Sequence, residues 1–384
     1  MLGKRVFRRR VASGLIAAAG VSVLAAASAC AASAAPAGAA APATAAPSWK
    51  IVKSVNTGAT SDFTTVVASS ATTGWAFDGS GTGSPAPVAY EHTGGPWSSW
   101  TKYGTFPGVK GEAIVAAAAT SATNVWAVSQ VNDGYSRVLH WNGQAWTVVK
   151  TFKNLAGGLA VLGPKDVWVF GDQEAYPATK NIGAVHYNGS SWSQVPSGKD
   201  LAGGSAVSDK DVWAFHGTSV YQWTGSAWHG TSVAGLLPKK QQLNSPQVTG
   251  ILALGKDNVY AIGNGSQEDD GGPTVVLHYS HGTWAKEATG NFGFGSVTFL
   301  PSQSLSSDGG SGLWLPQPGA DGAPSSIVRY TGGALKKASL PVSGHRIAVF
   351  TVSRIPGTTG QVASGYTFNT TTYAQTAVIL EYSS

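Results

Sequence analysis

Charge is scarce in this chain: only 11% of its 384 residues are Asp, Glu, Lys or Arg, against about 25% in ordinary soluble domains. With 42% hydrophobic and 10% aromatic residues, that scarcity excludes a disordered polymer and a coiled coil, both of which depend on charged residues. Cysteine is almost missing as well. The one present, Cys30, lies in the N-terminal leader, so the rest of the chain has no disulfide framework and no thiolate metal site. A basic face is missing too. Lys4, Arg5, Arg8, Arg9 and Arg10 supply five of the 25 basic residues, and beyond them 20 basic residues face 19 acidic ones. A net charge of about +1 on the remainder gives no footprint for nucleic acid.

What the chain has in abundance is glycine (50) and tryptophan (14), a balance that favours many short strands over helices. The basic start is followed by an uncharged, Ala-rich stretch with the small residues Ala27-Ser28-Ala29, the design of a secretory signal peptide over residues 1–30. Two outcomes fit its end: cleavage near Ala29, or lipidation at Cys30, which follows that triplet as in a bacterial lipobox. An uncleaved spanning helix is a third reading. Residues 31–47 are nearly pure Ala and Pro with Ser, Thr and Gly, an extended linker that buries nothing. The expected address is outside the cell, free or held at the outer membrane face by a lipid on Cys30.

Residues 48–384 are repetitive. Asn124-Val125-Trp126-Ala127, Asp166-Val167-Trp168-Val169, Asp211-Val212-Trp213-Ala214 and Asn258-Val259-Tyr260-Ala261 are copies of one motif, with shorter copies at Trp75, Trp314 and Val362. The anchors are spaced 51, 42, 45, 47, 54 and 48 residues apart. A second motif follows each: His140-Trp141-Asn142-Gly143 before Trp146, His186-Tyr187-Asn188-Gly189 before Trp192, Gln222-Trp223-Thr224-Gly225 before Trp228. Asn-Gly between apolar runs marks a hairpin, so each copy reads as four strands: one rich in Gly and Ala, the Val-Trp strand, the His-Tyr strand, and one that begins at Trp. The last copy ends at Ser384 without its fourth strand, and Ser48-Trp49-Lys50-Ile51-Val52 has that strand's character. The expected fold is therefore all-β, a seven-bladed β-propeller of four-stranded blades closed by the N-terminal strand pairing onto the last blade.

The order Gly171, Tyr187, turn, Trp192 resembles the kelch repeats of galactose-oxidase-like propellers, and the whole is similar to secreted propellers of high-GC Gram-positive bacteria. The resemblance implies a fold more than an activity. Galactose-oxidase chemistry is not implied, since it needs a tyrosine cross-linked to cysteine beside copper and the only cysteine is Cys30.

Tryptophans repeated once per copy are expected to pack neighbouring blades. On this reading Trp49, Trp97, Trp146, Trp192, Trp228 and Trp284 open fourth strands, and Trp100 alone stands outside the repeat, on the opposite strand face from Trp97. His140, His186 and His278 share a third-strand position too far out for convergence on one ion, so no metal and no cofactor is expected. Asn124, Asp166, Asp211 and Asn258 sit where local bonding to turn backbone would explain them. Loops after second strands and between blades vary in length and emerge on one face, where ligand contact is expected. The candidates there are Trp100, Tyr103, Asp172, Glu174, Tyr176, Asp269 and Asp270; none is assigned as catalytic. The expected function is a monomeric, non-catalytic module that binds a carbohydrate or a cell-surface protein. The alternative is a lyase or hydrolase acting on extracellular polysaccharide through Glu174 or Asp269, since hydrolysis uses positioned carboxylates.

Overall fold

The computed structural model describes residues 47–56, 62–79, 85–131, 134–172, 181–239, 246–264, 273–292, 305–317, 326–341, 346–372 and 374–383. The leader, Cys30 and the linker up to residue 46 lie outside these. Twenty-eight strands run through the described residues. β1 (Ser48–Val55) comes first, followed by a sheet of β2 (Phe63–Ala68), β3 (Thr73–Asp78), β4 (Val88–Thr93) and β5 (Trp100–Lys102), in that order. A second sheet holds β6 (Glu112–Ser121), β7 (Asn124–Val131), β8 (Tyr135–Trp141) and β9 (Trp146–Phe152).

The next eight strands share one sheet. β10 (Ala156–Gly163), β11 (Asp166–Gly171), β12 (Ala184–Tyr187) and β13 (Trp192–Gln194) are followed by β14 (Ala202–Ser208), β15 (Asp211–His216), β16 (Ser219–Trp223) and β17 (Trp228–Ser232). The two halves meet through the parallel pair Gly171 and Ala202. Two more four-stranded sheets follow. One is β18 (Gln247–Gly255), β19 (Asn258–Asn264), β20 (Thr274–Ser280) and β21 (Thr283–Gly290); the other is β22 (Ser306–Ser307), β23 (Leu313–Gln317), β24 (Ser326–Thr331) and β25 (Ala334–Lys337). The last sheet orders β26 (Arg346–Arg354), β27 (Gln361–Phe368) and β28 (Gln375–Ser383), with β1 antiparallel on β28 from Ser48 opposite Ser383 to Val55 opposite Ala377. Successive four-strand groups are called units one (β2–β5) to seven (β26–β28 with β1) below.

Small residues dominate the first strand of a unit because neighbouring chain passes close to it. A Cβ on Gly204 would stand 2.4 Å from the Phe170 ring and 2.6 Å from the Trp213 carbonyl, well inside van der Waals contact. Hydroxyl side chains on these strands tie units together: Thr65 Oγ1 donates to the Ile114 carbonyl at 2.8 Å, and Ser205 Oγ accepts from the Ala253 N–H at 2.9 Å.

Between second and third strands the repeat forms one staple, which corrects the expectation for its Asn and Asp residues. They bond across the sheet to the third strand. His140 Nε2 donates to Asn124 Oδ1 at 2.9 Å, His186 Nε2 to Asp166 at 2.8 Å, Gln222 Nε2 to Asp211 at 2.8 Å and His278 Nε2 to Asn258 at 3.0 Å. Each imidazole also stacks on the second-strand aromatic beside it: His140 on Trp126 at 4.1 Å, His186 on Trp168 at 4.4 Å, His278 on Tyr260 at 4.3 Å. In unit six Arg329 takes the same place, 5.2 Å over the Trp314 ring and bonded to Asp308 at 2.9 Å. Burial pushes the His140 pKa down, as expected where desolvation disfavours the charged ring.

The hairpin signals form turns for two different reasons. Gly143 and Gly189 each adopt φ of +90°, while the preceding Asn142 and Asn188 accept from backbone N–H groups two and three residues on. Unit five uses a two-residue turn, His281-Gly282, with both φ values positive, the geometry that matches strand twist in a hairpin.

Register also corrects the assignment of Trp97 and Trp100. Trp100 opens β5 opposite His92, as Trp146 opens β9 opposite Trp141 and Trp228 opens β17 opposite Trp223. Trp100 is therefore the repeat tryptophan of unit one, and Trp97 is the extra one, in the turn before it. Between the paired positions the connection is three residues longer than in unit two, which puts Trp97 at the offset where other units carry their fourth-strand Trp.

Candidate functional site

Three of the sequence candidates, Trp100, Tyr103 and Asp172, lie among the described residues, and they do not share one open face. Trp100 is 4% exposed and its Nε1 donates to the Trp97 carbonyl at 2.5 Å. Its ring packs in the core shared with Ile355, Val362 and Ile379 of unit seven, so it presents no platform to a ligand. Tyr103 is half-buried against Trp75 and Trp141, ring centroids at 5.3 and 5.6 Å. Asp172 follows the end of β11, where its carboxylate accepts from Gln130 of unit two and its carbonyl from Asn181 Nδ2 at 2.6 Å. Trp100 begins the fourth strand of its unit and Asp172 directly follows the second strand of another, so they lie at opposite ends of their sheets. Glu174, Tyr176, Asp269 and Asp270 lie outside the described residues, as does Cys30.

A concave site that pattern reading missed is found at the seam between units four and five. The seams are built alike. In the seam of units one and two, Trp75 meets Trp141 at 4.8 Å and Trp146 at 5.2 Å. In the seam of units four and five, Trp213 meets Tyr279 at 4.8 Å and Trp284 at 5.9 Å. What differs is the cover. Tyr103, third after Trp100, and Phe106 close the first of these triads. The equivalent of Tyr103 in unit three is Val195 and in unit six Ala338, both packed into their seams. In unit four it is Thr231, preceded by Gly230. The short residues leave a groove of about 540 Å³ whose accessible aromatic wall is Tyr279 and Trp284, both half-buried, with the buried Trp213 at its base, flanked by His229, Thr231 and Thr283. Val233 and Leu236 of the segment after β17 also line it, and with Leu237 they pack against the core around Trp213.

Among the described residues, no Asp, Glu, Lys or Arg lines the groove. Its polar groups are hydroxyls, an imidazole and the Gln222 amide, whose Nε2 is held by Asp211. Such a surface can stack a ring and exchange neutral hydrogen bonds; it offers no carboxylate for acid or base work.

Among the carboxylates buried elsewhere, Asp78 and Glu112 have distinct surroundings. Asp78, at the end of β3, is 7% exposed, and burial pushes its pKa up to about 6 against the opposing pull of Lys102. Burial and the nearby Asp78 both push the Tyr90 hydroxyl up. Glu112, at the start of β6, is buried and grips Arg137: Nε donates to Oε1 at 2.7 Å and Nη2 to Oε2. The Ser129 hydroxyl and the Val109 N–H also donate to this carboxylate, so its acceptor capacity is used in holding the loop before β6. Among the described residues no group of three or more His, Cys, Asp or Glu is placed to hold a metal ion, and no helix is long and apolar enough to cross a membrane.

Four-stranded antiparallel units in series, packed through aromatic seams, define an all-β propeller. Solved structures of the same fold agree. The chain is similar to YCF48 bound to D1 peptide (12% identity over 89% of this chain and 97% of that one, TM-score 0.54). It is similar to the extracellular domain of the hybrid two-component system BT4673 from B. thetaiotaomicron (11%, 86% of this chain and 39% of that one, 0.54). It is also similar to the WD40 β-propeller domain of Doa1 (10%, 86% and 96%, 0.52). At these identities the likeness is one of fold. No family model and no curated protein sequence matches the chain.

Proposed function

We propose that the chain is an exported, seven-bladed, kelch-like propeller that binds an extracellular glycan or surface protein without transforming it. Closure of the ring by β1 is supported by its pairing on β28. Backbone N–H bonds from Val66 and Ala68 of unit one to Thr351 and Ser353 of unit seven support it too. Export is supported by the leader pattern of residues 1–30, and lipidation at Cys30 would keep the protein at the outer membrane face. Propeller folds host unrelated functions, so the reading rests on a site. The observation that carries it is the open aromatic groove at the seam of units four and five, a concave surface with ring-stacking and neutral hydrogen-bonding groups. The similar propeller YCF48 was solved with a peptide in place, which agrees with a binding role.

A glycan array probed with the exported protein, run beside a reducing-end release assay, tests the reading. Binding without release is the expected result. Release of sugar ends that disappears in Glu174→Ala or Asp269→Ala would instead make the chain an enzyme. Recovery of the protein from the cytoplasm with Met1 to Cys30 intact would overturn export.

A further inference from the structure

We infer that the groove between units four and five binds one neutral pyranose ring of a glycan, at the place that Tyr103 occupies in the seam of units one and two. The inference rests on the binding role proposed above and names its ligand and its site.

The chain itself supplies the template. At the first seam a six-membered ring bearing a hydroxyl, that of Tyr103, stands edge-on to Trp75 (78° between planes) and to Trp141 (87°). At the other seam the two corresponding aromatics, Trp213 and Tyr279, keep the same relation, 4.8 Å and 57°, as Trp75 and Trp141. The ring that would complete the set is absent because Thr231 stands where Tyr103 does. Trp141 and Trp146 are buried beneath Tyr103 and Phe106, whereas Tyr279 and Trp284 are only half-buried and Trp213 stays covered by Val233, Leu236 and Leu237; the opening of this repeated packing unit is thus matched to a six-membered ring set against Tyr279 and Trp284.

Chemistry then selects among rings. The lining offers His229, Thr231 and Thr283 beside the aromatics, and the His229 and Thr231 side chains make no hydrogen bond among the described residues. Several hydroxyl-matching groups around an apolar floor suit a saturated ring with polar edges and apolar C–H faces better than a plain aromatic side chain. Among the described residues no Asp, Glu, Lys or Arg lines the groove, so a uronate or an amino sugar with a free amine would lose hydration without gaining the counter-charge of a carboxylate, ammonium or guanidinium in contact with it. The volume, about 540 Å³, falls in the range of about 300–1,000 Å³ for small-molecule sites and admits a disaccharide end.

The experiment restores the cover. Thr231→Tyr places in unit four the residue that fills the first seam, and Trp284→Ala removes one wall. Binding of cellobiose, maltose, lactose, mannobiose, N,N′-diacetylchitobiose and digalacturonate would be followed by calorimetry, with thermal melting of each variant. At least one neutral disaccharide should bind the wild type. Thr231→Tyr should weaken that binding about tenfold or more with melting unchanged or raised, and Trp284→Ala should weaken it as well. Undiminished sugar binding by a folded Thr231→Tyr would overturn the site while leaving the glycan-binding role intact. Preference for digalacturonate, or displacement of sugar by a tyrosine peptide that binds more tightly, would overturn the ligand class. If the wild type binds no sugar in solution or on the array, both the site and the glycan reading fall.

Discussion

Trp49 of the first strand faces Tyr382 of the last across the β1–β28 ladder, ring centroids 5.5 Å apart, and both rings pack on Trp314 at 5.5 and 4.7 Å. The first strand is thus bound to the last and, through Trp314, to unit six. Every other fourth strand is held by a hairpin to its own unit, whereas this one joins the two ends of the described fold.

Removing that strand should therefore cost more than its length suggests. Trp49 is 3% exposed, and truncating a buried aromatic costs about 3–5 kcal/mol, a large share of a typical ~5–15 kcal/mol stability. Trp49→Ala should lower the urea midpoint clearly, and deletion of residues 48–55 should lower it further while baring the β28 edge to aggregation. Unchanged melting after the deletion would show that the junction bears no load.

The staple of Asp166 and His186 predicts a measurable coupling. The bond is 2.8 Å long and both side chains are partly exposed, so a net contribution of about 0.5–1.5 kcal/mol is expected. Asp166→Ala and His186→Ala should each destabilise, and the double variant should be less costly than their sum by about that amount. Additive losses would mean that stacking on Trp168, and not the hydrogen bond, fixes the ring.

The repeat was readable because its residues serve local ends that recur. Trp126, Trp168 and Trp213 each fill the same seam position, so spacing alone marked them as core. Trp100 was misassigned for a physical reason: an extended turn from Gly94 to Ser99 moved the fourth strand away from the usual offset, and only pairing opposite His92 reveals its equivalence to Trp146. The groove was harder still, since it arises from what one strand omits. Gly230-Thr231 stands where another copy has Lys102-Tyr103, a difference visible only once the fourth strands are aligned residue by residue. Bonds such as that of Asp211 to Gln222 were hidden because the partners are 11 residues apart and meet only across a paired ladder.

Asp78 should make stability fall as pH rises through the acid range. Its folded pKa, about 6, lies above the ordinary 3.8 because burial disfavours the charge, with Lys102 offsetting part of that effect. The folded state holds the proton more tightly, so the contribution is complete below about pH 4 and is lost as pH climbs through 6. A shift of roughly two pH units corresponds to at most about 3 kcal/mol. Asp78→Asn, which cannot ionise, should melt higher than wild type at pH 7.5 and lose that advantage at pH 4. An advantage equal at both values would assign the effect to packing instead of ionisation.

Glu112 and Arg137 should show the asymmetry of a buried ion pair. The Glu112 carboxylate is 1% exposed and accepts from Arg137, Ser129 and the Val109 N–H, while Arg137 Nη2 also donates to the Pro107 carbonyl at 2.9 Å. Removing one partner leaves the other charge in a low-dielectric site, at a cost of about 3–5 kcal/mol. Glu112→Leu should therefore be severely destabilising, and Arg137→Leu comparably so because it strands a carboxylate with only neutral donors. The double variant leaves no charge behind. It still deprives the Val109 N–H of its acceptor, so full recovery is not expected, yet it should be more stable than either single variant when all four proteins are unfolded in urea at pH 7. A double variant as unstable as Glu112→Leu would show that the carboxylate acts chiefly on Ser129 and Val109, fastening the loop before β6, and that Arg137 is secondary to that role.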